Sequence, residues 1–183
     1  HIADYISHSK KVALMAPTGR AARVLANKTG FDATTIHKAI YMSAGFVVKT
    51  VKDVAESEFK LHFPIGETDG NLVVIVDEAS MLCSMTVEQE LYQFGTDNLM
   101  DDLLTFVRPS FGGKVIFVGD PAQLPPVGES VSQALNADFF INKGLKVMQA
   151  ELREVLRQTG DSVILKNAMQ IRNLLESEIR NRL

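Results

Sequence analysis

Three short runs of apolar residues stand out along the chain: Val12-Ala13-Leu14-Met15-Ala16, Leu72-Val73-Val74-Ile75-Val76 and Val115-Ile116-Phe117-Val118. None of them alternates polar with apolar positions. A strand with one wet face alternates, whereas a strand covered on both faces reads as an unbroken apolar run. The three are therefore predicted as strands of a parallel sheet. Lys146-Val147-Met148 is a weaker fourth candidate. Helical spacing lies between and after these runs. Arg20 to Lys28 reads as a helix with Thr18 as its N-cap, and another is predicted to start near Ser84. A third runs from about Asp161 to Arg180, with Ile164, Leu165, Ala168, Ile171, Leu174 and Leu175 as its apolar stripe. Strands alternating with helices predict an α/β fold, a mostly parallel sheet flanked by helices. There is no internal repeat and no low-complexity tract.

Each predicted strand runs into a polar turn. The first meets Pro17-Thr18-Gly19-Arg20, the second Asp77-Glu78-Ala79-Ser80, and the third Gly119-Asp120-Pro121-Ala122-Gln123. Ligands of open α/β sheets sit beyond the carboxyl ends of the strands, so three such turns predict one active edge. Two acids just past an apolar strand suit nucleotide hydrolysis. The first carboxylate can hold Mg²⁺ and the second can orient and activate a water. The same pair also suits the N-terminus of a following helix, where acids favour the dipole. Gly119 to Val127 is more distinctive. Its prolines set φ and withhold N–H groups, which makes a stiff extended turn. A Gln carried on that turn beside the acid pair is placed to sense a γ-phosphate.

Composition narrows the class. The 183 residues are 46% hydrophobic and 22% charged, which is globular and not disordered. No apolar run approaches the ~18 residues of a membrane span. Asp4, His8, Lys10 and Lys11 interrupt any signal-like apolar start. One cysteine, Cys83, excludes an internal disulfide framework, and a cytosolic setting with no membrane partner is expected. Cys83 itself is expected in the core. The net charge of −3 is uneven: +5 over residues 1–50, −10 over 51–102 and +2 over 103–183. A local basic surface near the start is compatible with a polyanion, and so is an ordinary solvated face. The chain opens at His1 with what reads as the tail of a helix, so it is expected to be a piece of something longer.

Taken together, these residues resemble the first motor domain of superfamily 1 DNA helicases, in particular the RecD-like group. The resemblance covers nearly the whole chain, and it implies a RecA-like motor fold as a single, partial domain over 1–183. Ala16-Pro17-Thr18-Gly19-Arg20-Ala21-Ala22 looks like motif Ia, and Thr34-Thr35-Ile36-His37-Lys38 like motif Ib; both contact single-stranded DNA in the family. Asp77-Glu78-Ala79-Ser80 looks like motif II. Gly119 to Val127 looks like motif III, whose Gln couples ATP state to DNA grip. Leu152-Arg153-Glu154-Val155-Leu156-Arg157-Gln158 looks like motif IV, whose Arg reaches the γ-phosphate. The resemblance thus implies ATP and Mg²⁺ as cofactors and single-stranded DNA as partner, with 5′ to 3′ movement. It assigns Asp77, Glu78, Gln123 and Arg157 to catalysis (Arg153 second to Arg157), and Asp120 beside them to the nucleotide. It places Pro17, Thr18, Gly19, Arg20 and His37 on DNA.

One element of a nucleotide hydrolase is missing from the sequence: the loop G-x-x-x-x-G-K-[ST]. The nearest fragment is Gly112-Gly113-Lys114, but Val115 follows where Ser or Thr is needed, and Arg108 holds the place of the first Gly. The phosphate loop (Walker A) and a second motor domain are expected in the rest of a parent helicase. The 183 residues alone are expected not to hydrolyse ATP. Two other readings stay open: a catalytically inactive nucleic-acid-binding or scaffold domain, and a nucleotide hydrolase that does not act on DNA. Residues 43–70 read as a solvated hairpin inserted into the domain, with strands near Phe46-Val47-Val48 and Phe59 to Phe63. No metal-binding cluster is visible among four His and one Cys.

Overall fold

The computed structural model describes residues 10–41, 45, 47–52, 57–68, 71–107, 111–152, 163, 167–172 and 174. It divides into two compact units, His1–Lys146 and Val147–Leu183. In the second unit, the described residues 163, 167–172 and 174 are helical, inside the helix expected from Asp161 to Arg180.

The first unit is built on four parallel strands: β1 (Lys11–Ala16), β2 (Ala33–Thr35), β5 (Leu72–Val76) and β7 (Lys114–Phe117). Their order is β2-β1-β5-β7. The central pair, β1 and β5, explains the unbroken apolar runs, because Leu14, Met15, Ala16, Val73, Val74 and Val76 are all buried. From β1 the chain steps to β2 on one side and later crosses back to β5 on the other. That reversal is where a parallel sheet opens a crevice at its carboxyl edge.

Between β1 and β2 lies α1 (Gly19–Thr29), capped by Thr18 as expected and closed by Gly30 at φ 74, a left-handed C-cap that glycine adopts without cost. The five-residue α2 (Ile36–Ile40) buries Ile36 and Ile40. A longer helix, α3 (Leu99–Val107), presents Met100, Leu103 and Val107 as one buried stripe at helical spacing. The route from α3 into β7 depends on Gly113, where a Cβ would lie 1.9 Å from the Val107 carbonyl oxygen. After β7, a 3₁₀ turn (Gln133–Leu135) leads to α4 (Ala137–Asn142). Phe140 of α4 stacks on Phe117 at 5.2 Å and covers the end of β7.

A smaller sheet joins β3 (Val47–Lys52), β4 (Ser57–Phe63) and β6 (Tyr92–Phe94), with β3 antiparallel and β6 parallel to β4. The third strand, β6, has no counterpart among the expected elements. It lies just beyond the place where a helix was expected from about Ser84. Instead, a 3₁₀ turn (Ala79–Met81) is followed by an irregular stretch to Leu91. Tertiary partners take up its backbone groups. The Ser84 N–H donates to Glu129 Oε1, the Ser84 carbonyl accepts from Asn98 Nδ2 at 2.7 Å, and the Val87 N–H donates to the Asp97 carbonyl at 2.8 Å. From Ser84 on, Met85, Val87 and Leu91 are all exposed, so that part of the stretch has no apolar face that a helix would bury. The expected strand at Lys146-Val147-Met148 is also absent, and Met148 is fully exposed.

Candidate functional site

Parallel pairing brings the strand ends into one row. Thr35 of β2 is in register with Ala16 of β1, Met15 with Val76 of β5, and Val76 with Phe117 of β7. The turns that follow are joined by backbone bonds. The Asp77 N–H donates to the Met15 carbonyl at 2.9 Å, the Val118 N–H to Val76 at 2.8 Å, and the Ala79 N–H to Val118 at 2.9 Å. The row therefore reads Thr35, Pro17-Thr18, Asp77-Glu78, Gly119-Asp120. The residues expected on DNA occupy its β2–β1 half, and the acids and Gln123 its β5–β7 half.

Asp77 and Glu78 are half-buried. Asp77 engages one of its oxygens, Oδ1, with the Glu78 N–H at 3.0 Å. Glu78 has φ 54 and ψ 39, in the left-handed region, and this bend ends β5 and starts the 3₁₀ turn. Its side chain makes no capping bond to that turn. A capping role for the acid is thus not what the structure displays.

The turn after β7 is equally constrained. Asp120 Oδ1 accepts from the Ala122 N–H at 3.0 Å, and the Gln123 N–H donates to the Asp120 carbonyl at 3.0 Å. Pro121 at the second position suits such a turn. Gln123 is exposed, and its Oε1 accepts from the buried Ser80 hydroxyl at 3.4 Å. Leu124 and Val127 project into solvent on either side of Pro125-Pro126.

On the other half, Thr18 Oγ1 accepts from the Ala21 N–H at 3.2 Å, and no acid lies in the first turn of α1. Arg20 is exposed there, and a Cβ on Gly19 would meet nothing within 4 Å, so this helix start is open. Thr35 Oγ1 caps α2 through the Lys38 N–H at 3.2 Å. His37 follows, with its ring 5.7 Å from both Tyr41 and Phe94. Burial lowers its pKa, so the imidazole is neutral near pH 7.

Arg157 and Arg153 lie outside the described residues. Among the described residues no group of three or more His, Cys, Asp or Glu could hold a metal alone. The half-buried Asp77–Glu78 pair offers carboxylates of the kind Mg²⁺ takes, one or two at a time, together with phosphates and waters. Asp77, with one oxygen held by its neighbour, is a donor of that kind. Cys83 is half-buried and not in the core; its thiol lies against the Met85 carbonyl, and burial pushes its pKa up.

Sequence reasoning did not single out three contributors. Ser80 ties one turn to the other. Glu129 pins the stretch at Ser84. Asp102, fully buried in α3, accepts from the Tyr41 hydroxyl at 2.7 Å and from Thr96 Oγ1 at 2.7 Å, which ties α2 to the β6–α3 connection. Only Ser80 carried a signal, its place three residues after Asp77.

The pattern of the AAA domain family matches residues 2–178. Among curated proteins, the "ATP-dependent RecD2 DNA helicase" of Deinococcus radiodurans is 36% identical over 118 residues, which is 64% of this chain and 12% of that protein. The chain thus spans only a small part of that relative's length. With the family pattern running almost end to end over a parallel sheet flanked by helices, the chain belongs to the AAA domain family, as a RecD-like superfamily 1 helicase motor domain.

Proposed function

We propose that this chain is the first motor domain of an ATP-driven helicase or translocase that acts on single-stranded DNA, moving 5′ to 3′ as the resemblance implies. The observation that carries this reading is the shared edge: Gln123 is bonded to Ser80 of the acid turn, on the same strand-end row as the open start of α1. Bound nucleotide with Mg²⁺ supplies the bond to be broken and neutralises phosphate charge. The chain's own residues do the rest. Asp77 holds the cation. Glu78 accepts the proton of the attacking water. Asp120 stiffens the turn through its bond to the Ala122 N–H, and by the resemblance it and Gln123 would face the nucleotide, with the Gln123 amide donating to the γ-phosphate. Arg157, with Arg153 as second choice, reaches that phosphate by the family match. Pro17, Thr18, Gly19 and Arg20 grip a DNA phosphate at the start of α1. His37, neutral at physiological pH, contributes an N–H and not a charge. The phosphate loop and a second motor domain are supplied by other parts of a longer protein.

The test is ATP hydrolysis by the intact parent with and without single-stranded DNA. Strong stimulation by DNA supports the motor, and the 183 residues alone are expected to show no turnover. In the stimulated enzyme, Glu78→Gln should lower turnover at least ~100-fold while nucleotide binding persists. Turnover near wild type would remove Glu78 as the base. A folded parent with no turnover in either condition would leave a nucleic-acid-binding module instead.

A further inference from the structure

Ser80 and Asp102 are the buried polar side chains among the described residues. Asp102 is satisfied by Tyr41 and Thr96. Ser80 lies at the candidate edge, and a hydroxyl so buried needs a partner. Its partner is Gln123 Oε1 at 3.4 Å. Gln123 is otherwise exposed on its turn, so its amide would rotate freely without this contact.

The bond has a chemical consequence. A primary amide offers two donors on nitrogen and only acceptor capacity on oxygen. With Oε1 accepting from Ser80, the nitrogen faces away from Ser80 and keeps its donors for another ligand. A flipped amide would still bond Ser80, because a hydroxyl accepts as well as donates, so what the contact fixes is the place of the Gln123 side chain beside the acid turn. Ser80 itself has little freedom. The Ala79 N–H donates to the Val118 carbonyl at 2.9 Å, and the Ser132 hydroxyl donates to the Ala79 carbonyl at 3.4 Å. Gly119 packs so closely that a Cβ there would lie 3.0 Å from the Ser80 nitrogen. Glu78, immediately before this turn, is in the left-handed region, and rotation of its backbone would carry Ala79 and Ser80 with it.

We propose that Ser80 is a positioning residue, which holds the Gln123 side chain against the acid turn and passes a change at that turn to the Gln123 turn. This rests on the motor reading above. The test is DNA-stimulated ATP turnover by the intact parent carrying Ser80→Ala, Gln123→Ala or both, with melting temperatures as a folding control. Ser80→Ala is expected to lower kcat about tenfold, the loss of one hydrogen bond to a reacting phosphate's donor, with KM for ATP within about twofold. The double variant should be no slower than Gln123→Ala alone, because Ser80 acts only through Gln123. Ser80→Thr, which keeps the hydroxyl, should recover most of the loss. Ser80→Cys keeps the volume with a weak donor and enters the same cycle if Ser80→Ala fails to fold. Turnover within about twofold of wild type for Ser80→Ala, or losses that multiply in the double variant, would overturn the proposal and leave the motor reading intact. A folded wild type with no DNA-stimulated turnover would overturn both.

Discussion

Glu78 holds φ 54 and ψ 39, a conformation that costs a residue with a Cβ about 1 kcal/mol or more. The cost is borne at the junction where β5 must stop and the next turn must meet Val118. A glycine there would relieve it, and a β-branched residue would worsen it. Glu78→Gly is therefore expected to fold at least as stably as wild type, while Glu78→Val loses about 1–2 kcal/mol, both measured by urea unfolding. Equal stability of the two variants would show that the left-handed bend is not what Glu78 experiences. Both variants lack the carboxylate and should be inactive, so stability and activity separate at one residue.

At the scale of elements, α2 and α3 are held together through Asp102. Its carboxylate accepts from Tyr41 at the end of α2, and from the Thr96 N–H at 3.0 Å and Thr96 Oγ1 at 2.7 Å before α3. Gly95 passes so close, at φ 54, that a Cβ would lie 2.2 Å from Asp102 Oδ2. Removing the carboxylate leaves buried donors without partners. Asp102→Ala is expected to cost about 3 kcal/mol and Tyr41→Phe about 1 kcal/mol in chemical denaturation. Costs in the opposite order would place the energy in the tyrosine hydroxyl and not in the carboxylate's bonds to Thr96. None of this network could be read from the sequence. Tyr41 and Asp102 are 61 positions apart, and an aspartate inside a helix pattern reads as a surface residue.

For the molecule as a whole, His37 ties stability to pH. Its ring packs against Tyr41 and Phe94 while the residue keeps an exposed face, and the partial desolvation lowers its folded-state pKa below the ordinary 6.5. The unfolded chain therefore takes up the proton first as pH falls through the ordinary histidine range. Stability is held above that range and falls below it. Tyr41 works at the opposite end. Burial and the Asp102 contact raise its pKa, so the folded state resists losing that proton and stability falls as pH rises past about 10. The melting temperature should be lower at pH 5 than at pH 8, and His37→Gln should remove part of that difference. An unchanged acid drop in His37→Gln would assign it to other groups.

The sequence by itself determined the sheet strands β1, β5 and β7, because strands covered on both faces must be apolar throughout. It also determined α1 with its Thr18 cap and the polar turns at the strand ends, because Gly, Pro and capping residues act locally. The sheet order, and with it the row that sets Thr35 and Thr18 beside Asp77 and Gln123, was decided only by the fold. So were the loss of the helix expected near Ser84, the strand β6 that replaces it, and the contacts made by Ser80 and Asp102. These depend on partners 14 to 61 residues away, such as Asn98 for Ser84, Gln123 for Ser80 and Tyr41 for Asp102. Local propensity carries no information about such partners. Hydrogen bonds supplied from a distance can outweigh the small preference for a helix that a short segment has on its own.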